Sequence, residues 1–208
     1  MGITKERYQR LKKEFGSLAS WALWDKACEN PKSRENVGSM EWASDEDALI
    51  KKIKTKFVFV AFNGSSQHDG RTGHGQNVYW SNFHSSYKYG RDHKLRYAIL
   101  GCDDAKGSYI TDLIKNDKSK TAKERVNKYK KNRALLKKHI DTLKKEIELL
   151  CGVKKPCLIA LGHDTEKFLK QTLGKEDYKV FYLPHYSATT PKFDDYKKIL
   201  KEILEKSK

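Results

Sequence analysis

The chain is short of the features that would place it at a membrane or outside the cell. No apolar run reaches membrane-spanning length. The first residues, "MGITKERYQRLKKEFG", are charged from residue 5 onward and lack the apolar centre of a signal peptide. They begin Met-Gly, but Glu6 stands where a myristoylation signal needs Ser or Thr. These absences predict an intracellular, cytoplasmic protein with no membrane partner. Its four cysteines, Cys28, Cys102, Cys151 and Cys157, are then expected to be reduced. No CxxC pair occurs, and only Cys151 and Cys157 lie close together, so neither a zinc site nor an iron–sulfur cluster is expected. Cys157 opens the apolar run "CLIALG" and reads as a small core hydrophobe. Gly-Lys-Ser/Thr and GxGxxG are both missing, which removes the common phosphate-loop and dinucleotide signatures. No internal repeat is visible.

What the chain has in excess is positive charge. Among 208 residues, 43 Lys and Arg face 27 Asp and Glu, a net charge of +16. Such a balance points to a polyanionic partner, nucleic acid first; the other reading is a lysine-rich surface kept solvated. With 38% hydrophobic and 11% aromatic residues, the chain is apolar enough to build a core rather than remain disordered.

Apolar runs alternate with helical patterns, as in an α/β domain. "KFVFVAF" (56–62), "SYITDLI" (108–114), "PCLIALG" (156–162) and "YKVFYLP" (178–184) read as buried strands. "RYAILG" (96–101) reads as either a short strand or a buried segment. Thr121 and Glu124 form a capping box for one long helix whose stripe is Leu136, Ile140, Leu143, Ile147 and Leu150, stopped at Gly152. A shorter helix runs from Asp164 to Gly174, and the last one starts near Asp194. Another helix occupies residues 4–15, followed by the aromatic stretch "SWALWD". The expectation is one domain over 1–208. Its fold is a three-layer α/β/α sandwich around a central four-stranded parallel sheet, with a helical N-terminal part (1–50) and a divergent segment (84–107).

Two strands end in polar residues suited to chemistry. "FVFVAFNGSS" ends the first at Asn63, and "YLPHYSATTP" ends the last at His185-Tyr186-Ser187. In a parallel sheet both tips point to one edge, where ligands bind. An Asn can hold a water through its carbonyl. A neutral His can donate a hydrogen bond to an oxygen that gains negative charge. Together they suit cleavage of a bond whose leaving group departs as an anion. The plain alternatives are a turn at Asn63-Gly64 and a loop histidine after Pro184. The Gly-rich segment 63–77 follows the first strand, with Gly70, Gly73 and Gly75 among His68, Arg71 and His74.

These landmarks resemble the uracil-DNA glycosylase superfamily, closest to its mismatch-specific and single-strand-selective branches. Ala61-Phe62-Asn63-Gly64-Ser65 corresponds to the first motif, "NVYW" (77–80) to a helix-opening Asn-Arg-Phe-Trp, and "YITDLIK" (109–115) to the second strand. "IALGHDTEKFL" follows the family's Leu-Gly before a helix, and His185-Tyr186-Ser187-Ala188 the second active-site motif. The order spans 56–190. The chain departs by lacking Pro after Asn63, by Tyr186 in place of a Pro, and in the segments 66–76 and 84–107.

The resemblance implies a monofunctional, cofactor-free DNA glycosylase acting as a monomer on duplex or single-stranded DNA, with the target base flipped out of the stack. Asn63 would position water and His185 stabilise the leaving base. Phe62 and Tyr186 would stack on the base, with core packing as the other role for Phe62. Gly64, Ser65, Ser187 and Lys115 would contact DNA. Asp112 stands where one branch has an Asn that reads uracil. A carboxylate only accepts, so it would suit a cytosine-type amino group, or else cap a turn or pair with Lys115. The alternatives are a glycosylase for a bulky modified cytosine in foreign DNA, a catalytically silent DNA-binding member of the fold, or a nucleotide-binding α/β enzyme outside the superfamily.

Overall fold

A computed structural model of the protein describes residues 2–25, 32–35, 37–63, 79–85, 91–117, 121–174 and 177–207. In chain order these form α1 (Lys5–Phe15), β1 (Ser20–Trp21), α2 (Glu46–Lys52), β2 (Lys54–Asn63), α3 (Asp92–Leu100), β3 (Ser108–Ile114), α4 (Ala122–Lys131), α5 (Arg133–Cys151), β4 (Cys157–Leu161), α6 (His163–Thr172), β5 (Val180–Leu183) and α7 (Phe193–Lys206).

The sheet has the order β1-β3-β2-β4-β5. β2 runs parallel to both β3 and β4, and β4 parallel to β5. These are the four expected strands. The sheet is nevertheless five-stranded and mixed, because Ser20–Trp21 pairs antiparallel with Tyr109 and Ile110. Two residues are too few to show strand periodicity, so only tertiary packing reveals β1. Both of its residues are fully buried. Trp21 packs 5.3 Å from Trp80 and 4.9 Å from Tyr109, and Ser20 Oγ donates to the Trp80 carbonyl at 2.5 Å. A buried ring of this kind removes about 150–250 Å² from water, roughly 4–6 kcal/mol before entropy is subtracted.

Strand alternation divides the core into two halves. Val58, Val60, Tyr109, Leu113, Leu158 and Ala160 face α1 and α5. Phe57, Phe59, Ala61, Ile110, Ile159, Leu161 and Leu183 face α3 and α7. Helices therefore cover both faces, compatible with a three-layer α/β/α arrangement.

One sequence reading narrows and another changes. Of the two readings of "RYAILG", the buried segment holds and the strand does not: it completes α3, which packs on α7 and brings part of the divergent segment into the core. The long helix is broken into α4 and α5 at Asn132, whose side chain accepts from the Leu135 amide at 2.9 Å. Asn competes for backbone hydrogen bonds and favours this N-cap role over a helix interior. The Thr121–Glu124 capping box is present, and α5 stops at Gly152, whose φ of 65° suits glycine.

Candidate functional site

Asn63 ends β2, and His185 lies two residues beyond β5, so both stand at the carboxyl edge of the parallel strands. β4 lies between their strands, which sets the backbones about 10 Å apart, two strand spacings. Alternation from Ala61 and Ile110 puts Asn63 and Asp112 on the α3/α7 face. Gly162, at the end of β4, has φ 100° and ψ 155°, a region open essentially to glycine alone. It lies directly beneath His185, and a Cβ there would stand 3.5 Å from the His185 Cβ.

The His185 ring is fixed by its neighbour. The Ser187 amide donates to His185 Nδ1 at 3.2 Å, and Ser187 Oγ lies 2.7 Å from the same nitrogen. An Nδ1 that accepts a backbone N–H carries no proton, so in the neutral ring the proton resides on Nε2. Burial, and then the charge of Lys94, lower the imidazole from its ordinary 6.5 to about 4. The site therefore holds a neutral histidine with Nε2–H as its donor. Tyr186 stacks on it with ring centroids 4.4 Å apart.

Tyr186 extends the site toward β3. Its ring meets Phe83 edge-on at 6.3 Å, and burial followed by the charges of Asp92 and Asp112 pushes its phenol well above 10. Asp112 is buried, and its Oδ2 accepts from Asn82 Nδ2 at 2.8 Å. Asn82 is held in turn by the Leu18 carbonyl and the Phe83 amide.

Two expected site residues turn away from the edge that Asn63 and His185 share. Phe62 faces the opposite side of the sheet, stacked on Phe168 at 5.5 Å and edge-on to Tyr129 at 6.3 Å. One residue of strand separates it from Asn63, and one residue inverts the face, so its ring belongs to the core there. Lys115, expected at the DNA, has its ammonium engaged inside the protein. Its Nζ is buried against Glu146 at 2.7 Å and donates to Thr111 Oγ1 and the Asp112 carbonyl. Glu146, fully buried, also accepts from the Tyr109 and Thr111 hydroxyls. The ammonium neutralises a carboxylate that would otherwise be stranded in the core. Gly64, Ser65 and the Gly-rich residues through 78 lie outside the described residues, as does the start of the "NVYW" landmark; its Trp80 is buried and donates to the Tyr8 hydroxyl at 3.0 Å.

Residues not singled out in the sequence complete the site, all from 82–94. Asp92, the first residue of α3, accepts from the Ser85 amide at 3.0 Å, and burial raises its carboxyl to about 6. Lys94 donates to the Ala188 and Pro191 carbonyls at 2.6 and 2.9 Å, clamping the loop that carries His185. The only sequence signal was an uninterrupted polar helix start, "RDHKLRYAIL", read as divergent. Of the remaining histidines, His84 is buried between Trp24 and Trp42, and its Nε2 lies 3.2 Å from the Trp21 carbonyl. His139 accepts from the Lys115 amide, and exposed His163 stacks on Tyr182 at 4.1 Å.

Beside Tyr186 opens a cleft of about 230 Å³ lined by Arg34, Arg91, His93, Lys94, Lys192 and Phe193, with Ala188 and Thr189 at its rim. Of the expected site residues that are described, only Tyr186 borders it. Among the described residues no helix is long and apolar enough to cross a membrane, and no group of three His, Cys, Asp or Glu residues stands together as a metal site. No family model, curated protein or solved structure matches the chain.

Proposed function

We propose that the protein is a monofunctional DNA glycosylase that flips a uracil-type or modified base and hydrolyses its N-glycosidic bond. The observation that carries this reading is the histidine locked as a neutral Nε2–H donor at the sheet edge it shares with Asn63. As the glycosidic bond stretches, charge builds on a base oxygen. A preorganised neutral donor then strengthens its hydrogen bond without first losing a proton. Asn63 holds the attacking water through its carbonyl, and the duplex is gripped through phosphates by the net charge of +16. Ser187 orients His185, a role its hydroxyl fills through Nδ1. Tyr186 forms an aromatic wall beside the base.

A bulky or modified cytosine is a second reading within the same chemistry. Asp112 favours it, as a buried carboxylate on the α3/α7 face, a group that only accepts where uracil O4 would demand a donor.

Incubation with duplex and single-stranded oligonucleotides carrying uracil, thymine mismatches or modified cytosines, followed by alkali, tests both. The expected result is strand cleavage for at least one base. Asn63→Ala should remove most turnover while DNA affinity stays within about twofold, and His185→Ala should cost about 10²–10³-fold in rate, the loss of one oxyanion donor. DNA binding without cleavage of any base would leave a silent binding protein in place of an enzyme. Equal loss of binding and turnover in Asn63→Ala would make Asn63 a loop-shaping residue.

A further inference from the structure

The cleft next to Tyr186 has a composition that the glycosidic chemistry does not use. Arg34, Arg91, Lys94 and Lys192 line it together with His93, and among the described residues no Asp or Glu does. Lys94 is the informative member. It is only 5% exposed, and two of its three N–H groups are spent on the carbonyls of Ala188 and Pro191. Among the described residues no carboxylate lies within ion-pair distance of its Nζ. Its neighbouring charge is that of Arg91, so burial and Arg91 together lower its pKa. Its Nζ also lies 5.2 Å over the Tyr196 ring; a buried ammonium with a cationic neighbour and no carboxylate partner gains when an anion joins it.

Backbone adds to the same field. α3 and α7 begin at the cleft, with Arg91 and Lys192 at their N-cap positions and no side chain capping either helix. Two of the three acids of these first turns are engaged elsewhere: Asp92 with the Ser85 amide, Asp194 with Lys32 and Tyr97; the third is Asp195. The leading turns of both helices thus present N–H groups and positive dipole ends alongside the cations. Phe193 and Tyr186 supply aromatic walls, which suits a nucleotide better than a bare ion.

The geometry points to this cleft as a seat for a phosphate ester of the DNA strand, gripped by Arg91, Lys94 and Lys192 beside the loop that carries His185. The identity of the strand rests on the glycosylase reading; the anion site rests on the cleft alone. None of the three cations lies in a motif of the resemblance.

The test compares Arg91→Gln/Lys192→Gln with a charge-matched control, Lys137→Gln/Lys138→Gln, on the exposed face of α5. All four side chains are exposed, so both proteins are expected to melt like the parent. Binding of a fluorescent duplex and a single strand is measured against NaCl. The cleft pair should flatten the log–log salt slope by about 1 and weaken binding about tenfold, while the control pair moves each by less than a third of that. Equal effects from both pairs would overturn the site in favour of diffuse surface charge. A second arm titrates inorganic phosphate and a deoxynucleoside monophosphate, following the Arg91, His93 and Phe193 amides by NMR. Shifts lost in the cleft variant support the site even if the protein binds no DNA, in which case the glycosylase reading fails and the site stands. No shift with phosphate, nucleotide or DNA overturns it.

Discussion

The state of His185 can be measured without knowing any substrate. The perturbation is pH. At pH 5 an imidazole with its ordinary value of 6.5 would be about 97% protonated, whereas one at about 4 would be about 10% protonated. The difference is worth about 3 kcal/mol, held in burial first and in the Lys94 charge second. The native ring stays neutral where the unfolded ring takes a proton. This contribution to stability is therefore full above pH 6.5 and is lost as pH falls toward 4. Long-range 1H–15N correlation spectra report both the midpoint and the tautomer. The expected result is Nε2–H above pH 5, with Nδ1 unprotonated because it accepts from the Ser187 amide, and a midpoint near 4. Lys94→Gln should raise the midpoint yet leave it below 6.5, since burial is the larger cause. A midpoint at 6.5 or above, or a proton on Nδ1, would refute the reasoning and with it the neutral donor on which the proposed chemistry depends.

Asp92 opposes His185 in the same window. Its carboxyl holds a proton up to about pH 6 in the native state, so its contribution rises as pH falls from 6 toward 4, by about 3 kcal/mol over the full range. Asp92→Asn keeps the acceptor for the Ser85 amide and should unmask the acid destabilisation from His185, read by urea melts between pH 4 and 7; an unchanged pH slope would contradict the burial of that carboxyl. Lys115→Met should cost about 3–5 kcal/mol in urea unfolding by stranding Glu146, and leave DNA affinity unchanged in the properly folded fraction; weaker DNA binding at full stability would restore Lys115 as a contact. Gly162→Ala should destabilise by about 1–3 kcal/mol through its backbone angles rather than through a clash, and a melting profile equal to the parent's would show that β4 can end differently.

The sequence by itself determined the four parallel strands, the α/β class, the capping box at Thr121 and the presence of Asn63 and His185 at strand tips. Each rests on local signals: continuous apolar runs, helical spacing, and polar residues where a run stops. Tertiary structure alone decided the rest. Ser20–Trp21 became a strand because Tyr109 and Trp80 cover it, and two residues carry no period of their own. Phe62 turned to the core because strand faces alternate, and Lys115 turned inward because Glu146, 31 positions later in the chain, needed a counter-charge. Asp92 and Lys94 join His185 only because α3 packs on α7 and sets its first turn against the loop after β5. Charge and pattern are written along the chain, but the partner of a buried ion is chosen by distance in space, which the order of residues does not encode.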